Sequence, residues 1–219
     1  MINLREIPGA ADLYFIRHGE SEGNRDGIIQ GRNPSRLTDN GRRQAGEAGA
    51  WFAGNSLDLI LTSPLARALE TAHIIAAATG VTAIQTAEEL TEIDTGIFSG
   101  LTFTQAERMH PEAWQLFQGE SWEGVPRAER IAELLDRAGK IWSLLALLVG
   151  QGKRRVLCVT HSGFLQWIVR STLGSTSWMP LFSSSGNCCV SHLRVVNAAP
   201  GDGYNGHLAT WMRINSPIR

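Results

Sequence analysis

The sequence lacks an excess of charge of either sign. Lys and Arg together number 20 and Asp and Glu 21, a formal net charge of −1. A protein that grips nucleic acid or an anionic membrane surface needs a basic surplus, so neither partner is expected. A few arginines gathered in one cleft would not move that total, so a small anionic ligand stays open. Long hydrophobic runs are also missing. The longest apolar stretch, Ile141 to Val149, is too short to cross a bilayer, and no targeting segment is visible. Cysteine is scarce: Cys158, Cys188 and Cys189 form neither a disulfide framework nor a zinc-ligand spacing. A cytoplasmic protein with reduced, buried thiols is therefore expected. With 219 residues, 43% hydrophobic and 19% charged, the chain has the composition of one folded domain rather than a disordered one.

What is present is an alternation of short β-like runs and longer helical patterns. Leu13 to Ile16, Leu57 to Leu61 and Val156 to Val159 are uninterrupted apolar runs, which suit strands covered on both faces. Thr38 is placed to cap a helix reaching about Ala53, with Ala45, Ala48, Gly49 and Phe52 inward. Ser63-Pro64 reads as an N-cap followed by proline at the first helical position, and Gly80 as the stop. A further helix is expected from about Ser162 to Leu173, a short strand at Ala83 to Thr86, and late strands at Cys188 to Val196 and His207 to Ile214, joined by a Gly- and Asn-rich turn. Between about 102 and 151 the pattern is helical only, ending in one apolar stripe from Ile131 to Leu148 and preceded by a patch of Phe98, Phe103, Trp114, Phe117 and Trp122. The expected architecture is α/β: a three-layer α/β/α sandwich in a single domain. Its central sheet is mostly parallel, with helices on both faces and a helical insertion over the strand C-terminal ends.

The three apolar runs end in Arg17-His18, in Ser63 with Arg67 just beyond, and in His161. Ligands of open parallel sheets bind outside the carboxyl ends of the strands. If these strands are neighbours, two histidines and two arginines converge on a site for a dianion. Helices starting at Ser63 and Ser162 would present unpaired N–H groups there. Phosphate is the natural dianion, and Glu92 is the best placed acid for a leaving group. Glu88, Glu89 and Asp94 are its rivals.

The motifs agree in order with a known family. Arg17-His18-Gly19-Glu20-Ser21 with Asn24 resembles the signature of the histidine phosphatase superfamily, in the branch that includes cofactor-dependent phosphoglycerate mutases. Gln30-Gly31 followed by Leu37-Thr38 and Gly41, then Ser63 to Ala72, Leu90 to Leu101, Thr160 to Gly163, and Asn187 opening a strand, resemble its later blocks. The resemblance implies His18 as nucleophile, forming a phosphohistidine, and Glu92 as acid and then base. Arg17, Asn24, Arg67, His161 and the backbone N–H of Ser162 would hold the phosphoryl oxygens. Gln30 and Gly31 would border a small-molecule phosphate monoester. No metal or organic cofactor is implied. The chain departs from the family at Asn33-Pro34-Ser35-Arg36, where Arg36 either rims the pocket or faces water.

Plainer readings sit beside these. A lone histidine after a strand is commonly structural, and His73, His110, His192 and His207 take that reading. The aromatic patch is read as part core, part pocket wall, which favours partly apolar substrates. The rival functions are phosphoglycerate mutase-like transfer and a catalytically silent phospho-ligand scaffold, which would typically have lost His18 or Glu92. A serine hydrolase is excluded for want of a G-x-S-x-G elbow.

Overall fold

The computed structural model describes residues 2–178, 181, 186–197 and 207–218. Its described strands are β1 (Ala11–Arg17), β2 (Leu59–Thr62), β3 (Ile84–Thr86), β4 (Arg155–Thr160), β5 (Val190–Asn197) and β6 (His207–Ser216). The described helices are α1 (Glu22–Arg25), α2 (Asp39–Ala53), α3 (Ala66–Thr79), α4 (Phe103–Met109), α5 (Pro111–Glu120), α6 (Ile131–Gly150) and α7 (Ser162–Leu173). The six strands form one sheet in the order β3-β2-β4-β1-β5-β6. β3, β2, β4 and β1 pair in parallel, while β5 runs antiparallel to β1 and β6 antiparallel to β5. The turn expected between the last two strands lies outside the described residues.

Side-chain alternation along the central strands builds the three layers. Leu13, Phe15, Val156 and Cys158 face one way and pack with α6 and α7 through Trp142, Leu145, Leu165 and Ile168. Tyr14, Ile16, Leu157 and Val159 face the other way and pack with α2 and α3 through Ala45, Ala48, Phe52, Ala72 and Ile75. Both faces are covered, which is why these strands read as continuous apolar runs rather than alternating ones. Thr38 caps α2 as expected, its hydroxyl accepting from Gly41 N at 3.0 Å. The Gly19-Glu20 backbone packs directly on Gly41 at the start of α2: a Cβ on Gly19 would collide with Gly41 O, and one on Gly41 with Glu20 O. No helix among the described residues is long and apolar enough to cross a membrane.

The helical stretch expected at 102–151 divides in two. α6 belongs to the sandwich, with Leu134, Ala138, Ile141 and Leu145 in the main core. Only the segment 103–124 stands apart, packed with Ile29, Phe98, Val125 and Ala128 in a separate cluster. Cys188 and Cys189 precede β5 in a turn instead of opening the strand. Cys188 is buried there, and burial pushes its thiol up to about 12, which suits packing rather than chemistry.

Candidate active site

Strand register delivers the site. Arg17 pairs with Thr160 across β1 and β4, and Thr62 pairs with Val159 across β2 and β4. The residues that follow, His18, Ser63 and His161, are therefore brought together at one edge. The His18 and His161 rings lie 5.0 Å apart between centroids. His161 Nε2 contacts Ser63 Oγ at 2.8 Å.

His18 is 2% exposed. Its Nδ1 lies 2.7 Å from Gly19 O, which can only accept, so Nδ1 carries the hydrogen and Nε2 keeps a lone pair. Arg67 Nε donates to that Nε2 at 3.2 Å. Burial, with the Arg17 and Arg67 charges beside it, holds the imidazole well below its ordinary pKa, so it is neutral at neutral pH. Burial, His18 and the neighbouring arginines do the same to His161.

Arg67 lies in the first turn of α3, buried, with Nη1 donating to Asn33 O at 2.9 Å and Nη2 to Gly31 O at 2.8 Å. Burial lowers its pKa to about 10, which leaves it cationic. Three donors in one plane set its position, which a lysine would not reproduce. Gly31 has φ +50°, and a Cβ there would sit 2.5 Å from Thr95 Oγ1. This glycine thus supports Arg67 through its carbonyl as well as bordering the cavity. The helix start expected at Ser63-Pro64 is corrected. α3 begins at Ala66, and Ser63 Oγ accepts from Leu65 N at 3.2 Å while it faces His161.

Of the four acidic residues around 88–94, Glu92 alone lines the cavity. Its Oε1 accepts from Ile93 N at 2.9 Å and Phe164 N at 3.0 Å, and its Oε2 from Gly163 N at 3.1 Å. The N-terminus of α7 therefore holds the protein's own carboxylate, where unpaired N–H groups were expected. Asn24 Oδ1 accepts from Ser21 N at 3.2 Å and from Asn187 Nδ2 at 3.3 Å, which leaves its NH₂ as the end for a ligand. Gln30 Oε1 accepts from Ser21 Oγ at 3.0 Å. Arg36 is exposed and does not line the cavity.

One cavity of about 660 Å³ joins Arg17, His18, Asn24, Gln30, Gly31, Arg67, Glu92 and Ser162. His161 backs it without lining it. Phe103, Phe117, Trp122, Trp167 and Trp178 wall the remainder, with Arg170 among them. Every predicted site residue therefore lies in or directly behind one volume.

Residues 13–200 match the family model of the histidine phosphatase superfamily (branch 1). The chain belongs to that superfamily. A probable phosphoglycerate mutase GpmB from Salmonella choleraesuis is 34% identical over 188 residues, covering 83% of each chain. Among solved structures, this superfamily member is similar to a phosphoserine phosphatase mutant from Entamoeba histolytica in complex with phosphoserine (TM-score 0.74, 27% identity, 94% and 98% coverage). It also shares its fold with a putative alpha-ribazole-5'-P phosphatase from Escherichia coli (TM-score 0.77, 22% identity, 95% and 98% coverage).

Sequence reasoning gave no role to three supports of this site. Asn187 Nδ2 donates to His18 O at 2.9 Å and steadies the strand end. The Asn33 carbonyl holds Arg67. Arg137 and Glu129, both largely buried, and half-exposed Arg32 form a cluster behind Glu92. Nothing in their spacing distinguishes the last three from solvated helix and loop charges.

Proposed function

We propose that this chain is a phosphatase that hydrolyses phosphate monoesters through a phosphohistidine on His18. The observation that carries the reading is a buried, neutral His18 whose Nε2 lone pair meets Arg67 in the cavity that Glu92 also lines. Enzymes accelerate phosphate monoester hydrolysis by up to ~10²¹-fold, nearly 30 kcal/mol. Charge-assisted hydrogen bonds contribute about 1.5–3 kcal/mol each, so binding contacts alone fall short. A nucleophile and an acid are needed, and the site has both.

In the first step His18 Nε2 attacks phosphorus, the P–O ester bond breaks, and Glu92 passes the proton that a monoester monoanion carries to the leaving oxygen. In the second, Glu92 takes a proton from water as that water attacks phosphorus. The P–N bond breaks, and inorganic phosphate and neutral His18 are released. Arg17, Asn24, Arg67, His161 and the Ser162 N–H bind the phosphoryl oxygens, a phosphoryl oxygen replacing the His18 lone pair as the partner of Arg67. Gln30 and Gly31 border the substrate. The aromatic wall suits small-molecule esters with an apolar or aromatic group. All these groups are side chains or amides, so the scheme needs no metal, and the protein works in the cytoplasm on a soluble substrate.

A second reading has specific support. The GpmB relatives carry a mutase name, and Arg170 adds a cation that suits a carboxylated substrate. Phosphate release from alkyl and aryl monoesters, measured for wild type and His18→Ala with a chelator present, separates the two. Release by wild type, slowed about 10⁴-fold or more by the substitution, is the expected result. Equal release by both proteins overturns the nucleophile. Phosphoglycerate interconversion without phosphate release favours the mutase.

A further inference from the structure

We infer that Arg137, through its buried ion pair with Glu129, is a positioning residue for Glu92. The pair holds the backbone of the acid loop so that the carboxylate stays aimed into the cavity. The inference rests on the acid role proposed for Glu92, and its support is geometric.

Arg137 lies on the face of α6 that covers the sheet, its side chain only 12% exposed. Its Nε and Nη2 donate to Glu129 Oε1 and Oε2 at 2.7 and 2.9 Å, a two-pronged pair. Its Nη1 donates to Glu89 O and Thr91 O, both at 2.8 Å. The guanidinium also stacks 3.9 Å from the ring centroid of Phe164, whose own N–H holds Glu92. Glu129 extends the clamp. Its Oε2 accepts from Asp94 N at 3.1 Å and from Arg32 Nη2 at 3.0 Å, while its N–H donates to Asp94 O at 2.9 Å. Arg32 Nε then reaches Glu92 O at 3.3 Å. Backbone groups of residues 89, 91, 92 and 94 are thus all tied to one cluster, while no member of that cluster lines the cavity.

A purely structural role would be to fasten α6 and the segment before it to the sheet. Apolar packing does that at least as well, because a buried ion pair must first recover the cost of desolvating both charges. What the pair adds is direction: a planar fork fixes several carbonyls in one geometry, which apolar contacts do not.

The test uses the leaving group. An alkoxide needs the proton that Glu92 delivers, whereas a nitrophenolate departs without one. Values of kcat/KM would be measured on an alkyl phosphate and on p-nitrophenyl phosphate for wild type, Glu92→Gln, Arg137→Lys, Glu129→Gln and Arg32→Ala. Glu92→Gln should lose about 10²–10⁴-fold on the alkyl ester and far less on the nitrophenyl ester. Arg137→Lys and Glu129→Gln should reproduce that selectivity, with losses approaching about 10²-fold on the alkyl ester alone. Equal losses on both esters, or none in a folded variant, overturn the positioning role. If the buried variants fail to fold, Arg32→Ala decides, since Arg32 is half-exposed: an alkyl-selective loss upholds the clamp and its absence rejects it. If Glu92→Gln itself shows no selectivity, the acid role falls, and the inference with it.

Discussion

At one end of the cavity Arg67 and Glu92 each rest on three directed hydrogen bonds, and His18 on the Gly19 carbonyl. At the other end Phe103, Phe117 and Trp122 rest chiefly on one another and on Phe98 and Trp114. Phe117 and Trp122 lie 4.9 Å apart between ring centroids, Trp114 and Phe117 5.3 Å, and Phe103 is 48% exposed. The first end hangs from parallel strands buried on both faces. The second belongs chiefly to a small cluster of its own, with Trp122 alone also touching the main core under α6 and α7. Aromatic pairs add about 0.5–1.5 kcal/mol each beyond area burial and tolerate several geometries. Hydrogen bonds to a guanidinium or carboxylate tolerate few. Under the proposed function, reaction geometry and substrate choice thus fall to regions held together by different kinds of contact.

That contrast is open to direct attack. The largest effect should come from Arg67→Lys, which keeps the charge but loses the fork. Steady-state kinetics should show kcat/KM falling about 10²–10³-fold for alkyl and aryl esters alike. A loss confined to one ester class would mean that Arg67 sorts substrates rather than holding phosphate. Phe98→Ala empties the middle of the aromatic cluster at about 3–5 kcal/mol. Hydrogen exchange should then speed up in α4 and α5 while β1 and β4 keep their protection, and loss of protection throughout would show that the two regions unfold as one. Trp122→Ala should raise KM for aryl esters by about tenfold, as loss of about 1.4 kcal/mol of contact does, and leave small alkyl esters unchanged.

The smallest effect concerns pH. His18 and His161 are neutral in the fold, with pKa values held below the ordinary histidine value by burial first and neighbouring cations second. The unfolded chain takes up protons at both positions as pH falls below about 6.5, and the native state does not, so stability drops through that window. Urea midpoints should decline from about pH 7 to about pH 5, less steeply in His18→Ala. An equal slope in both proteins would place the pH dependence elsewhere.

Much of this was legible in the chain. The apolar runs located β1, β2 and β4 because strands covered on both faces carry no polar alternation. Once the strand order makes those strands neighbours, the residues after the runs sit at one sheet edge. Thr38 announced α2 because a cap is a local interaction. The start of α3 was misread for a reason that is not local. Ser63 Oγ is engaged by His161, 98 positions away, and the helix begins at Ala66. α6 was legible as a helix with one apolar stripe, but the surface the stripe would meet was not. It joins the sandwich, and only 103–124 stand apart.

The sequence by itself determined which elements form and which chemical groups stand at the strand ends, since both follow from periodicity and from neighbours in the chain. Tertiary structure alone decided the Arg67 donor on the His18 Nε2 lone pair, the carboxylate of Glu92 on the α7 amides, and the Arg137–Glu129 cluster behind it. Those depend on groups up to 97 residues apart, and on burial that withdraws water and makes a directed contact count.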